Sequence, residues 1–227
     1  MDQQDKVRNY YKLQAPIYDL TRWAFLFGRR RLPEWIRAVK QPKRILEIGC
    51  GTGANLAMLA KAFPEANLTG VDLSESMLQK ANTNLRRAAG KRVSLIKAPF
   101  GANLFHEEEN FDLILCSYSL SMMGDARLQC IREARHCLQP DGLFMVLDFL
   151  ETPFSWFREW MEINHVNFDP QLLMECVTKH RSISFQKNQA YDGFWAYSLY
   201  TGTSTKQTVF KFNANFMQNP EQQILIS

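Results

Sequence analysis

The sequence has no apolar stretch long enough to cross a bilayer as a helix. Its densest apolar runs, Trp23–Phe27 and Leu143–Leu147, are five residues each, against the roughly 20 that a spanning helix needs. It opens on polar residues without a charged-then-apolar leader, so no secretory signal is expected. Cysteine is scarce. Cys50, Cys116, Cys130, Cys137 and Cys176 make an odd set of five with no C-x-x-C spacing. That argues against a disulfide framework and for a reducing, cytoplasmic setting. Cys130 and Cys137 share a face of an expected helix, but no histidine cluster accompanies them, so they read as packing residues and no metal is expected. His106, His136 and His180 carry no motif. Internal repeats, low-complexity tracts and interdomain linkers are missing too.

What is present is the composition of a single globular unit. The 227 residues are 46% hydrophobic and 22% charged, enough to bury a substantial core. The net charge of +4 is unevenly placed. Residues 1–44 hold eleven Lys and Arg against four acids, a balance of +7 that leaves the rest at −3. Such asymmetry suits an anionic partner at one end, and equally a solvated helical face.

From Lys43 onward, strand-like runs alternate with helical periods. Strands are expected at Arg44–Ile48, Leu68–Asp72, Val93–Lys97, Phe111–Cys116 and Leu143–Phe149. Helices are expected at Asn55–Phe63, from the cap Ser74 to about Ala89, and between Asp125 and Leu138. Gly90 suits a left-handed helix exit, and Gln139-Pro140-Asp141-Gly142 has the chemistry of a turn. This alternation predicts an α/β fold, a Rossmann-like, doubly wound and mostly parallel sheet that binds its ligand at the carboxyl ends of the strands. Ser182–Gln189 and Phe194–Tyr200, separated by Asp192-Gly193, predict an antiparallel edge hairpin. The expected organisation is a basic, aromatic N-terminal helical lid over residues 1–42, a core over 43–205, and an unassigned tail over 206–227.

The most informative stretch is Ile45-Leu46-Glu47-Ile48-Gly49-Cys50-Gly51-Thr52-Gly53. An apolar strand runs into three alternating glycines and then opens a helix, so the backbone can turn sharply and approach a ligand closely. Gly49-x-Gly51-x-x-Ala54 also satisfies a dinucleotide-binding pattern, so glycines alone do not choose the ligand. Glu47 does more. A carboxylate two residues before the first glycine suits a ligand bearing an ammonium or sulfonium charge and would repel a pyrophosphate. Asp72 ends the next strand, placed to accept bonds from both hydroxyls of a ribose. Phe111-Asp112-Leu113-Ile114 and Leu138-Gln139-Pro140-Asp141-Gly142-Leu143 follow in order.

With these residues the chain resembles the class I S-adenosylmethionine-dependent methyltransferases, over roughly residues 43–150. The resemblance implies that Gly49, Cys50, Gly51 and Gly53 wrap S-adenosylmethionine, with Glu47 and Ser117 beside it and Asp72 on its ribose. Leu73 and Met77 would flank the adenine, with backbone groups near Phe100 beside it. Many relatives add an acid for the adenine amino group, but Lys97-Ala98-Pro99-Phe100 has none, which leaves adenine to backbone groups and apolar packing.

Outside the core, three blocks are similar to bacterial lipid-headgroup N-methyltransferases of the phosphatidylethanolamine and betaine-lipid types. They are Tyr10–Asp19 with Thr21–Arg29, Trp160-Met161 with Asn164-His165-Val166, and Tyr191–Tyr197. The resemblance implies an amine acceptor on a lipid headgroup. Trp23, Phe25, Leu26 and Phe27 beside Arg22 and Arg29–Arg31 would then rest on an anionic membrane at the cytoplasmic face; alternatively these aromatics form the lid's own packing face and the arginines are solvated. Tyr18, Tyr118 and Trp195 could cage the developing ammonium. His165 could accept its proton, or serve as a hydrogen-bonded structural histidine. No N/D-P-P-Y/F motif stands after the fourth expected strand, where Cys116-Ser117-Tyr118-Ser119 occurs, so no nucleic-acid substrate is expected. A cytosolic methyltransferase acting on oxygen, carbon or nitrogen of a small molecule, and a non-catalytic cofactor-binding regulator, remain alternatives.

Overall fold

The computed structural model describes residues 25–88, 90–101, 104–105, 110–169 and 171–203. Tyr18, most of the expected lid and the tail after Thr203 lie outside these residues. Seven strands form one sheet: β1 (Arg44–Ile48), β2 (Asn67–Asp72), β3 (Val93–Lys97), β4 (Phe111–Ser117), β5 (Leu138–Glu151), β6 (Arg181–Ala190) and β7 (Trp195–Thr203). Their order is β3-β2-β1-β4-β5-β7-β6. The first five run parallel, and β7 is antiparallel to both β5 and β6. The chain steps outward from β1 through β2 to β3, then returns to β4. The crevice where the winding reverses therefore opens at the carboxyl ends of β1 and β4, where such sheets bind ligands.

Alternation along the strands builds two packed layers. Ile45, Leu113, Leu115, Leu143, Met145 and Leu147 face one layer. There they meet α1 (Leu32–Val39), α2 (Ala54–Ala62) and α3 (Glu75–Ala88). Leu46, Ile48, Ile114, Cys116, Phe144 and Val146 face the other, against α4 (Ala126–His136) and α6 (Gln171–Lys179). Between these two helices in the chain lies α5 (Ser155–Ile163). None of the five cysteines is in a disulfide; Cys130 is buried and Cys137 half-buried at the end of α4.

One sequence expectation is corrected. Gln139–Gly142 is not a separate turn: it lies within β5, where the register with β4 shifts between Phe111 and Leu113. Pro140 and Asp141 are exposed there, and Lys40 Nζ meets Asp141 Oδ2 at 2.9 Å. A bulge admits the proline, which has no N–H to give the ladder. Phe25 to Val39 fall within the expected lid. Leu32, Trp35 and Ile36 are buried in the core, and Phe25 stacks on Phe157 and Trp195 at centroid distances of 6.3 and 5.6 Å. Phe27 meets Trp195 edge-on at 5.6 Å. These side chains pack inward, where their rings leave water.

In the second layer, His180 stacks on Phe144 at 4.3 Å, and neither ring nitrogen finds a hydrogen-bond partner among the described residues. Burial, with a smaller contribution from Arg135, pushes its pKa down to about 3. The imidazole is held neutral because charging it there would strip an ion of its water.

Candidate functional site

The loop that leaves β1 is shaped by three glycines in the left-handed region, Gly49 (φ 73°), Gly51 (φ 53°) and Gly53 (φ 72°). Gly49 and Cys50 donate their N–H groups to Val71 O at 2.8 and 3.1 Å, tying the loop to the end of β2. A Cβ on Gly49 would stand 2.6 Å from Ser119 Cβ, so the loop after β4 presses directly on it. Ser119 Oγ donates to Ile48 O at 2.9 Å from the same side.

Asp72, at the carboxyl end of β2, holds this loop. One carboxylate oxygen accepts Gly51 N–H at 2.8 Å and the other accepts Ser74 N–H at 2.9 Å. Leu73 beside it is half exposed, an apolar shelf at the rim, while Met77 is buried one turn into α3. Phe100 is half-buried and packs on Phe105 at 6.2 Å. The Cys50 thiol is buried in the loop. At the end of β4, Ser117 Oγ is buried with no partner among the described residues.

Glu47 is the buried charge of the site. Its Oε1 accepts Asn55 Nδ2–H at 2.6 Å, and Asn55 Oδ1 in turn accepts Arg29 Nε–H at 2.6 Å. Asn55 sits in the first turn of α2, directly after the glycines. The sequence reading placed Arg29 with its neighbours on a lipid surface. The structure turns Arg29 inward to this amide instead, and lays Arg31 over the Trp35 ring at 4.9 Å. Arg30 is exposed.

Tyr118 and Trp195, the expected cage residues, are both buried. The Tyr118 hydroxyl donates to Phe27 O at 2.8 Å, its ring packs edge-on against Phe149 at 4.7 Å, and its backbone is left-handed (φ 55°). Burial pushes its phenol well above the ordinary range, so it stays a neutral donor that pins residues 25–29 to the sheet. His165 lies on the turn after α5, also left-handed (φ 62°). That turn touches the loop after β4, because Asn167 N–H donates to Ser121 O at 3.1 Å.

Sequence reasoning missed Asp148. This fully buried carboxylate on β5 accepts Ser121 N–H at 3.1 Å and Phe149 N–H at 2.9 Å, fixing the same loop from below. Burial raises its pKa to about 6 even though those bonds pull the other way. Its signal in the sequence, one acid in an apolar strand, is visible but has no spacing that points to Ser121.

Taken as chemistry, the crevice offers a carboxylate to a pair of hydroxyls, an apolar shelf to a flat ring, and a buried carboxylate to a cation. That donor set fits a nucleoside carrying an amino-acid tail. Residues 45–142 match the family model of a methyltransferase domain. The malonyl-[acyl-carrier protein] O-methyltransferase of Geobacter sulfurreducens is 32% identical over 155 residues, 66% of this chain and 55% of that protein. The chain spans about half the length of the relatives it matches. Among solved structures, the [4+2]-cyclase SpnF has a TM-score of 0.73 at 16% identity, covering 90% of this chain and 97% of that one. The 1,6-didemethyltoxoflavin-N1-methyltransferase of Burkholderia thailandensis, solved with bound 1,6-didemethyltoxoflavin and S-adenosylhomocysteine, has a TM-score of 0.68 at 20% identity over 88% of each chain. At such identities the likeness is one of fold.

Proposed function

We propose, for a chain that carries a methyltransferase domain, that it moves a methyl group from S-adenosylmethionine to an amine, and that the amine belongs to a lipid headgroup. One observation carries the cofactor half: Glu47 and Asp72 stand at the ends of adjacent strands, on either side of a loop whose three glycines are left-handed. Asp72 would hold the ribose hydroxyls, Leu73, Met77 and Phe100 the adenine, and Glu47 the cationic tail. When bound, S-adenosylmethionine supplies an electrophilic methyl on sulfonium; a nitrogen–carbon bond forms as the sulfur–carbon bond breaks. The protein's part is to place a neutral amine in line and exclude water, which supplies much of such a rate. His165 is the candidate to take the proton the nitrogen sheds.

The lipid half draws on the outer face of α5. Phe157 and Met161 turn inward, while Trp156 is 60% exposed, Trp160 46% and Ile163 76%. An apolar strip of this kind beside the crevice suits the headgroup boundary of a bilayer. Among the described residues no helix is long and apolar enough to cross a membrane. Contact would therefore be interfacial, and through α5 more than through Arg29 and Arg31.

The test is incubation with labelled S-adenosylmethionine and a total lipid extract, followed by headgroup analysis. Label in an amine headgroup is expected. Label confined to water-soluble acceptors would replace the lipid reading with a cytosolic one. Bound cofactor without any transfer would leave a regulator. The cyclase among the superposed folds is the reason for reading product rather than binding.

Cofactor binding has its own check. Asp72→Ala should weaken S-adenosylhomocysteine binding about tenfold or more, since a hydrogen bond to a charged group is worth about 1.5–3 kcal/mol. Unchanged calorimetric affinity in a folded variant would remove the ribose assignment.

A further inference from the structure

Asp148 continues the face of β5 that carries Phe144 and Val146, and it is fully buried there. Among the described residues no cation pairs with it. Near it stand Cys116 of β4, Tyr118 just beyond that strand and Cys176 of α6, with Ser198 opposite on β7. Cys130 of α4 lies against Cys116. Burial pushes the Cys116 and Cys176 thiols and the Tyr118 phenol up, so these three groups are neutral near pH 7. Burial lifts the Asp148 carboxyl only to about 6, so at pH 7 it is mostly ionised. A buried charge without a counter-charge destabilises a fold, and an amide or an apolar side chain would be easier to bury.

What the charge holds is a wall shared by two parts of the crevice. Its bond from Ser121 N–H, at 3.1 Å, fixes the 3-10 turn Leu120–Met122. Tyr118 N–H donates to Leu147 O at 2.7 Å, so the loop is tied to β5 at both ends. On one side Ser119 abuts Gly49, leaving no room for a Cβ, and its hydroxyl reaches Ile48 O. On the other side Ser121 O accepts Asn167 N–H, two residues beyond His165. Resting on the cofactor reading above, we infer that Asp148 is a positioning residue: its charge holds residues 119–121 in the shape against which the glycine loop closes on S-adenosylmethionine and onto which the His165 turn docks. Protonation would turn its charge-assisted bonds into ordinary ones, roughly half as strong, and the wall would loosen. Cofactor affinity is thereby linked to the pH of the medium through a group that touches no ligand.

The experiment pairs calorimetry with thermal unfolding of the full chain, with S-adenosylhomocysteine as the probe. Asp148→Asn keeps the shape, removes the charge and leaves one oxygen for two N–H donors. At pH 7.5 it should bind the probe about tenfold more weakly than wild type. Its melting temperature should equal or exceed that of wild type, because no buried charge has to be stripped of water. Wild-type affinity should fall about fourfold between pH 7.5 and pH 5.5, in step with the ionised fraction of a group titrating at about 6. The variant should show no such fall. A carboxylate that serves the fold alone would give the reverse, a lower melting temperature with native affinity. Native affinity in the variant, or an equal pH response in both proteins, overturns the assignment. If Asp148→Asn does not fold, wild type carries the test, and an affinity unchanged between pH 7.5 and pH 5.5 overturns it. Failure of wild type to bind the probe at either pH would instead sink the cofactor reading, and this assignment with it.

Discussion

Gly51→Val should abolish cofactor binding while leaving a folded protein. Gly51 lies at φ 53°, a region that costs an L-residue roughly 1–2 kcal/mol and a β-branched one more. Its N–H is also the donor to Asp72, so displacing it disturbs the group proposed to hold the ribose. The branched Cβ would further occupy the face along which the ligand approaches the backbone. A loss of roughly hundredfold or more in S-adenosylhomocysteine affinity is expected, with a melting point only several degrees lower. Gly49 is a poorer probe: its Cβ would strike Ser119 at 2.6 Å and damage the fold along with the site. Near-native affinity in folded Gly51→Val would mean that the loop does not cradle this ligand.

The glycine loop was the most legible part of the chain because backbone sterics act locally. A strand, three glycines and a helix start need only their own neighbours, and β1 and β3 fall on the expected residues. The parallel order followed from the alternation, and the edge hairpin from Asp192-Gly193. What was missed depends on partners far away in sequence. Arg29 reads as one of three adjacent cations, and nothing in its spacing points to Asn55, 26 residues on. Helix α5 escaped notice because it is apolar on two faces: Phe157 and Met161 mark a stripe, but Trp156, Trp160 and Ile163 blur it. Tyr118 and Trp195 look like cage residues as letters. Only packing shows that one donates its hydroxyl to a backbone carbonyl and the other fills the core.

Acid should destabilise this protein through His180, and His180→Leu should relieve much of that loss. The sign follows from proton binding. An unfolded histidine titrates near 6.5 and the folded one at about 3, so between these values only the unfolded chain takes up the proton. Stability is unaffected by this group above about pH 6.5 and falls as the pH drops below it. By pH 5 the penalty is about 2 kcal/mol, roughly a thirtyfold shift toward the unfolded state. Asp148 acts in the opposite sense. Its pKa is raised to about 6 in the fold, so its desolvation penalty is present above that pH and lifts as the pH falls toward its unfolded value near 3.9. The two partly offset each other, which is why the variant is more telling than the wild-type curve alone. Urea unfolding of wild type and His180→Leu at pH 7.5 and pH 5 isolates the histidine. Leucine has similar volume and no charge to desolvate, so the variant should gain about 2 kcal/mol over wild type between the two conditions. An identical pH dependence in both would show that the imidazole is not held neutral in the fold.

The placing of β7 between β5 and β6 has a consequence for a nascent chain. When β5 leaves the ribosome it can pair with β4, but its other edge belongs to a strand that begins 44 residues beyond Glu151. At a synthesis rate of about 5–20 residues per second, Leu143 to Phe149 present an open, apolar edge for roughly 2–9 seconds before Trp195 to Thr203 arrive to cover it. Throughout that interval an almost uncharged strand is a template for any extended segment nearby. Holding factors that act on emerging chains would have most to do here, and truncations ending before residue 195 would keep that edge open for good.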